Sequence, residues 1–117
     1  MIDAHFLRRV CLPLPGTTEQ VQWENDLVFK VGGKMYAVAP LEPAPVCLSF
    51  KCSSEDFADL TERPGIIPAP YLARAQWVAL EHAEAMTTAE IREYLRRSYR
   101  EVRARLPRKV QAALASI

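Results

Sequence analysis

The 117-residue sequence has no long apolar run, no internal repeat and no excess of charge of either sign. Lys and Arg number 15 against 14 Asp and Glu, a formal net charge of +1. A domain that grips nucleic acid over a wide area is usually basic throughout, so any cationic surface here has to be local. No stretch approaches the ~20 apolar residues of a membrane helix, and no membrane partner is expected. The first residues, Met1 to Phe6, include an acid and no apolar run, so a signal peptide is not expected and the location should be cytoplasmic. Cysteine is scarce: Cys11, Cys47 and Cys52 form an odd set without a CxxC pair. That argues against a disulfide framework and a zinc ribbon, and leaves reduced thiols packed in or near the core. Histidine is scarcer still. Neither His5 nor His82 has a Cys, His or acid at metal-ligand spacing, so neither a metal nor a cofactor is expected.

What is present is enough for one globular domain spanning residues 1–117, with 50% hydrophobic and 25% charged residues. Ile2, Phe6 and Val10 share one helical face, and Pro13 and Pro15 end that helix. Leu27, Phe29 and Val31 alternate with Val28 and Lys30 as in a strand. Gly32-Gly33 supplies a tight hairpin, residues 34–39 return, and residues 46–51 alternate again. A strand at 21–24, holding Trp23, would precede these. Ser53 or Ser54 can cap a short helix over 55–62. The Pro-broken stretch 66–74 reads as an ordered surface loop, and 76–80 as a last strand. Thr87-x-x-Glu90 is a capping box that opens the clearest helix, with Ile91, Leu95, Ser98, Tyr99, Val102 and Leu106 on one stripe and Pro107 at its end. Residues 110–114 could add one more turn. The order α-β-β-β-α-β-α makes an α+β layered domain.

Several of these segments, taken in order, are familiar. Leu14-Pro15-Gly16-Thr17 with Trp23, residues 28–37, Leu48-Ser49-Phe50-Lys51-Cys52, residues 67–72 with Trp77-Val78, and Ser98-Tyr99 ahead of Leu106-Pro107 together resemble the MmcQ/YjbR family. The resemblance implies a frataxin/CyaY-like fold: an antiparallel sheet with helices packed on one face and the other face open. Members of that bacterial family are commonly labelled DNA-binding, through a so-called double wing. The Pro-rich residues 39–45 would make the connection there stiff. Iron chaperones of the same fold have an acidic first helix. Here Asp3 is set against Arg8 and Arg9, so iron binding is not expected.

If Leu27, Phe29 and Val31 face the helices, strict alternation turns Lys30, Lys51 and Trp77 to the open face, with Trp23 and Tyr36 beside them. Cations next to exposed aromatics suit phosphate contact with stacking. Lys34 in the hairpin would join them. On the last helix Arg92, Arg96, Arg100 and Arg103 line up opposite the apolar stripe, although Glu93 and Glu101 offset them and a solvated face is the plainer reading. Catalysis finds no constellation. Ser98 has no partner histidine, and Gly32-Gly33-Lys34 joins two strands without the Walker pattern. The expectation is a monomeric, non-enzymatic DNA-binding protein using Lys30, Lys34, Lys51, Trp77, Tyr36, Arg96, Arg100 and Arg103. The alternative is a protein–protein or small-ligand module using the same aromatic face. The two separate by charge, because Lys→Glu changes would abolish only the first.

Overall fold

The structure is a computed structural model, and it describes residues 2–115. Helix α1 (Ala4–Cys11) starts where the Asp3 carboxylate accepts the amide of Phe6, and it buries Phe6, Leu7, Val10 and Cys11. Six strands follow in one antiparallel sheet, β1 (Thr17–Gln22), β2 (Asp26–Val31), β3 (Lys34–Pro40), β4 (Leu48–Lys51), β5 (Ile66–Pro68) and β6 (Trp77–Leu80), in the spatial order β1-β2-β3-β4-β6-β5. Helix α2 (Ser54–Leu60) is capped by Ser53 and lies between β4 and β5; α3 (Thr88–Arg103) and α4 (Arg108–Ala115) end the chain. The capping box is formed, with Thr87 Oγ1 accepting the Glu90 amide and the Glu90 carboxylate accepting the Thr87 amide.

The helices cover one face. Leu27, Phe29 and Val31 of β2, Leu48 and Phe50 of β4, and Val78 and Leu80 of β6 join Ile91, Leu95, Tyr99 and Val102 of α3 in one core. Burying this many large apolar side chains, at roughly 1.5–3 kcal/mol each, is the main favourable term of the fold. The hairpin forms on Gly32 and Gly33, at φ +58° and +80°. A Cβ on Gly32 would run into Leu106, so the hairpin tip docks against the α3–α4 corner.

Three departures from the sequence reading matter for function. The first strand is Thr17–Gln22 rather than 21–24, and Trp23 sits in the turn that follows. Residues 66–68, read as loop, pair with β6 as an edge strand, where the missing N–H of Pro68 costs no ladder bond. The third is a β-bulge: Phe29 faces Ala37 while Lys30 faces Met35, leaving Tyr36 as an extra residue. One extra residue reverses the phase of alternation, so Tyr36 turns into the helix-side core and is fully buried. Its ring meets Tyr99 edge-on with centroids 5.6 Å apart, and its hydroxyl lies 2.9 Å from Thr17 Oγ1.

Candidate functional site

Paired residues on neighbouring strands point to the same side. The register therefore puts Lys30 with Met35, Val28 with Val38, Lys51 with Trp77, and Ser49 with Ala79 on the face away from the helices. Lys30, Lys51 and Trp77 share that face, as alternation predicts. The face is only partly open. Residues 69–76, with their single 3-10 turn at Ala73–Ala75, fold back over the β6 end. Ala69 and Leu72 pack with Trp77, which is only 3% exposed. The Lys51 ammonium donates to the Ala75 carbonyl, and Lys51 is 9% exposed. Three expected contact residues are thereby corrected: Trp77 and Tyr36 are core side chains that cannot stack on a ligand, and Lys51 is a covered lysine rather than a free cation.

Beyond this cover the face stays apolar and open. A groove of about 550 Å³ is floored by Met35, Val38 and Ser49 and walled by parts of the segments 40–46 and 70–72 and by the turn holding Trp23 and Asp26. Two exposed aromatics border it, Trp23 at 63% exposure and Tyr71 wholly exposed. Both have left-handed backbones, at φ +48° and +67°. The Asn25 amide donates to the Trp23 carbonyl, closing a three-residue turn about Glu24 at φ +73°. A bulky residue in this region costs about 1–2 kcal/mol, so the fold holds two large rings outward in strained positions. Tyr71 carries no signal in period-two reading. A tyrosine between Pro70 and Leu72 in a proline-broken loop, and the turn formers Asn25 and Asp26 directly after Trp23, were the available clues.

Charge is distributed unevenly around the molecule. Asp26 lines the groove, and Glu24 and Glu42 flank its lining residues in the chain; none of the three is in an ion pair among the described residues, and no Lys or Arg lines the groove. The cations gather at the other end. Lys30 and Lys34 lie on the strands of the hairpin whose Gly32 packs on Leu106 and Val110, and Arg108 and Lys109 lie between those two residues in the chain; none of the four is ion-paired among the described residues. Arg103 lies against the Tyr99 ring, 5.9 Å from its centroid. On α3, Arg96 is exposed, and Arg100 reaches Glu93 only at 3.5 Å.

Arg100 and Lys51 do come together, in a separate cleft of about 280 Å³ between α2 and α3 that also takes in Ser53, Tyr94 and Arg97. Burial pushes the Lys51 ammonium below its usual pKa, and the charge of Arg105 adds to the shift. Burial also drives the thiols of Cys11 and Cys52 up to about 12, so both are protonated packing groups. Among the described residues no three His, Cys, Asp or Glu side chains are placed to hold a metal ion, and no helix is long and apolar enough to cross a membrane.

Comparison with known proteins fits this geometry. A family model described as YjbR matches residues 12–101. The crystal structure of protein DR2400 from Deinococcus radiodurans, with a domain of the family model DUF419, superposes with a TM-score of 0.88 at 29% identity, covering 98% of this chain and 89% of that one. A protein from Pseudomonas syringae superposes with a TM-score of 0.65 at 19% identity, covering 85% of this chain and 97% of the other, a likeness of fold alone. No curated protein sequence matches the chain.

Proposed function

The chain belongs to the YjbR family, and from the helix-free sheet face that its fold presents we propose that it is a non-enzymatic binding module for a protein partner. The observation that carries the reading is the apolar groove bordered by Trp23 and Tyr71, two exposed rings held outward at strained backbone positions. Aromatic residues in such settings dominate binding energy in protein interfaces, and an open apolar patch needs an apolar group to cover it. Charge narrows the partner. Asp26 inside the groove, with Glu24 and Glu42 beside it, repels phosphate and attracts Lys or Arg. The fitting occupant is a peptide segment with a large apolar anchor next to basic residues.

Selection from a random peptide library tests this. The wild-type protein should enrich sequences that join an aromatic or large aliphatic residue to Lys or Arg, and Trp23→Ala/Tyr71→Ala protein should enrich none of them. No enrichment, or the same enrichment with the double variant, would overturn the reading.

One observation favours a second reading, DNA binding at the opposite end. Lys30, Lys34, Arg108 and Lys109 have no acidic partners among the described residues, a set of free cations on a nearly neutral chain. Such binding would weaken steeply between about 50 and 200 mM salt, as anisotropy of labelled DNA would report. Lys34→Glu/Lys109→Glu would abolish it and leave peptide selection unchanged.

A further inference from the structure

The cleft between α2 and α3 is separate from the sheet face and contains more hydrogen-bond donors than the protein uses. Lys51 is more than nine-tenths buried, yet its ammonium makes a single hydrogen bond, to the Ala75 carbonyl. An ammonium has three N–H donors, so two have no protein acceptor among the described residues, and Lys51 is one of the residues lining the cleft. Among the described residues Arg100 is paired with Glu93 alone, at the long distance of 3.5 Å. The Tyr94 hydroxyl has no partner among the described residues, and the Ser53 hydroxyl, whose oxygen accepts the Asp56 amide at 3.1 Å, keeps its own proton to donate.

Two acids, Asp56 and Glu101, line the cleft itself, and each is already paired with an arginine. Asp56 is taken by Arg97 at 3.1 and 3.3 Å, Glu101 by Arg105 at 3.0 Å, and Glu93 by Arg97 at 3.1 Å. With these pairs formed, Lys51 has no ion-pair partner among the described residues and Arg100 shares Glu93 with Arg97. A partly covered ammonium with spare donors favours an acceptor that completes it.

We infer that this cleft binds a small oxyanion, a phosphate or phosphate monoester, held by Lys51 and Arg100 with Tyr94 and Ser53 as neutral donors. Arg can meet two oxygens of such a group side by side, and Lys supplies a point charge behind it. The volume of about 280 Å³ leaves room for a small substituent on the phosphate. Because Arg100 is largely solvated, the site is reached from outside without opening the core.

Titration with inorganic phosphate against chloride at matched ionic strength, followed in two-dimensional amide NMR spectra, tests the inference. The amides of residues 51–53 and 94–101 should shift saturably with phosphate and not with chloride. Arg100→Gln, a surface change that leaves folding intact, should weaken binding about tenfold, the loss expected for one hydrogen-bonded charge pair. Lys51→Met should abolish it. A short single-stranded oligonucleotide run in parallel separates the sources. If it competes with phosphate, the cleft takes a polymer's phosphate; if it does not, the site is one for small phosphates. No saturable shift in these residues, or shifts of the same size with Arg100→Gln, would overturn the inference.

Discussion

The Ser98 hydroxyl donates to the Tyr36 carbonyl at 2.6 Å, joining the middle of α3 to the bulged residue of β3. The same oxygen accepts the amide of Lys51 at 3.1 Å, so one fully buried serine satisfies two backbone groups that the sheet ladder leaves open. This is why an uncharged polar residue sits on the inward stripe of the helix. Ser98→Ala should cost roughly 2–3 kcal/mol, since it orphans a buried carbonyl and a buried amide. Urea denaturation gives the figure; a loss below about 0.5 kcal/mol, the usual scale of surface changes, would contradict the role.

Trp77→Ala should cost about 3–5 kcal/mol in the same measurement, as for any large core side chain cut to a methyl. Its ring is covered by Ala69 and Leu72, so the loss is one of packing.

Trp23→Ala and Tyr71→Gly separate binding from stability. Both rings are exposed and their backbones strained. Tyr71→Gly should leave stability unchanged or raise it by up to about 1 kcal/mol as the left-handed strain is relieved. Peptide binding should fall in both. A large loss of thermal stability in either variant would show the ring to be a packing residue.

How far the sequence discloses this arrangement depends on whether a feature is local. The Thr87–Glu90 box, the Gly32-Gly33 hairpin and the stripe from Ile91 to Val102 are set by neighbours in the chain, and the fold carries them as read, although the helix ends at Arg103 and leaves Leu106 in the turn before α4. Lys30 and Trp77 fall on the expected face for the same reason. The bulge at Tyr36 is not local, because it is completed by Ser98 from 62 positions away. Nor does period-two alternation reveal that residues 69–76 cover Trp77 and Lys51, since a face can point away from the helices and still be roofed by a loop. Tyr71 and Trp23 gained their exposure in the same way, through loop and turn geometry that no periodicity encodes.

Acid should expose the Arg63–Glu90 pair. Glu90 accepts from Arg63 at 2.8 and 3.1 Å and from the Thr87 amide at 3.0 Å, and these contacts, Arg63 first, hold its carboxyl down to about 2. A folded value below the unfolded one near ~4.3 means the contribution is complete above about pH 5 and is lost as the pH falls toward the folded value. The melting-temperature gap between wild type and Glu90→Gln should therefore be widest at neutral pH and narrow with acid. A gap that does not change with pH would assign the difference to something other than the carboxylate's charge.

On the proposed reading the partner sits in the groove between Trp23 and Tyr71. Mapping a library-selected peptide by amide chemical shifts on the labelled protein tests it most directly. Saturable shifts are expected at residues 23–26, 35–40, 44–49 and 70–72, with residues 103–110 unmoved. Shifts centred instead on Lys34 and on Arg108 and Lys109, with the groove silent, would contradict it and place binding at the basic end.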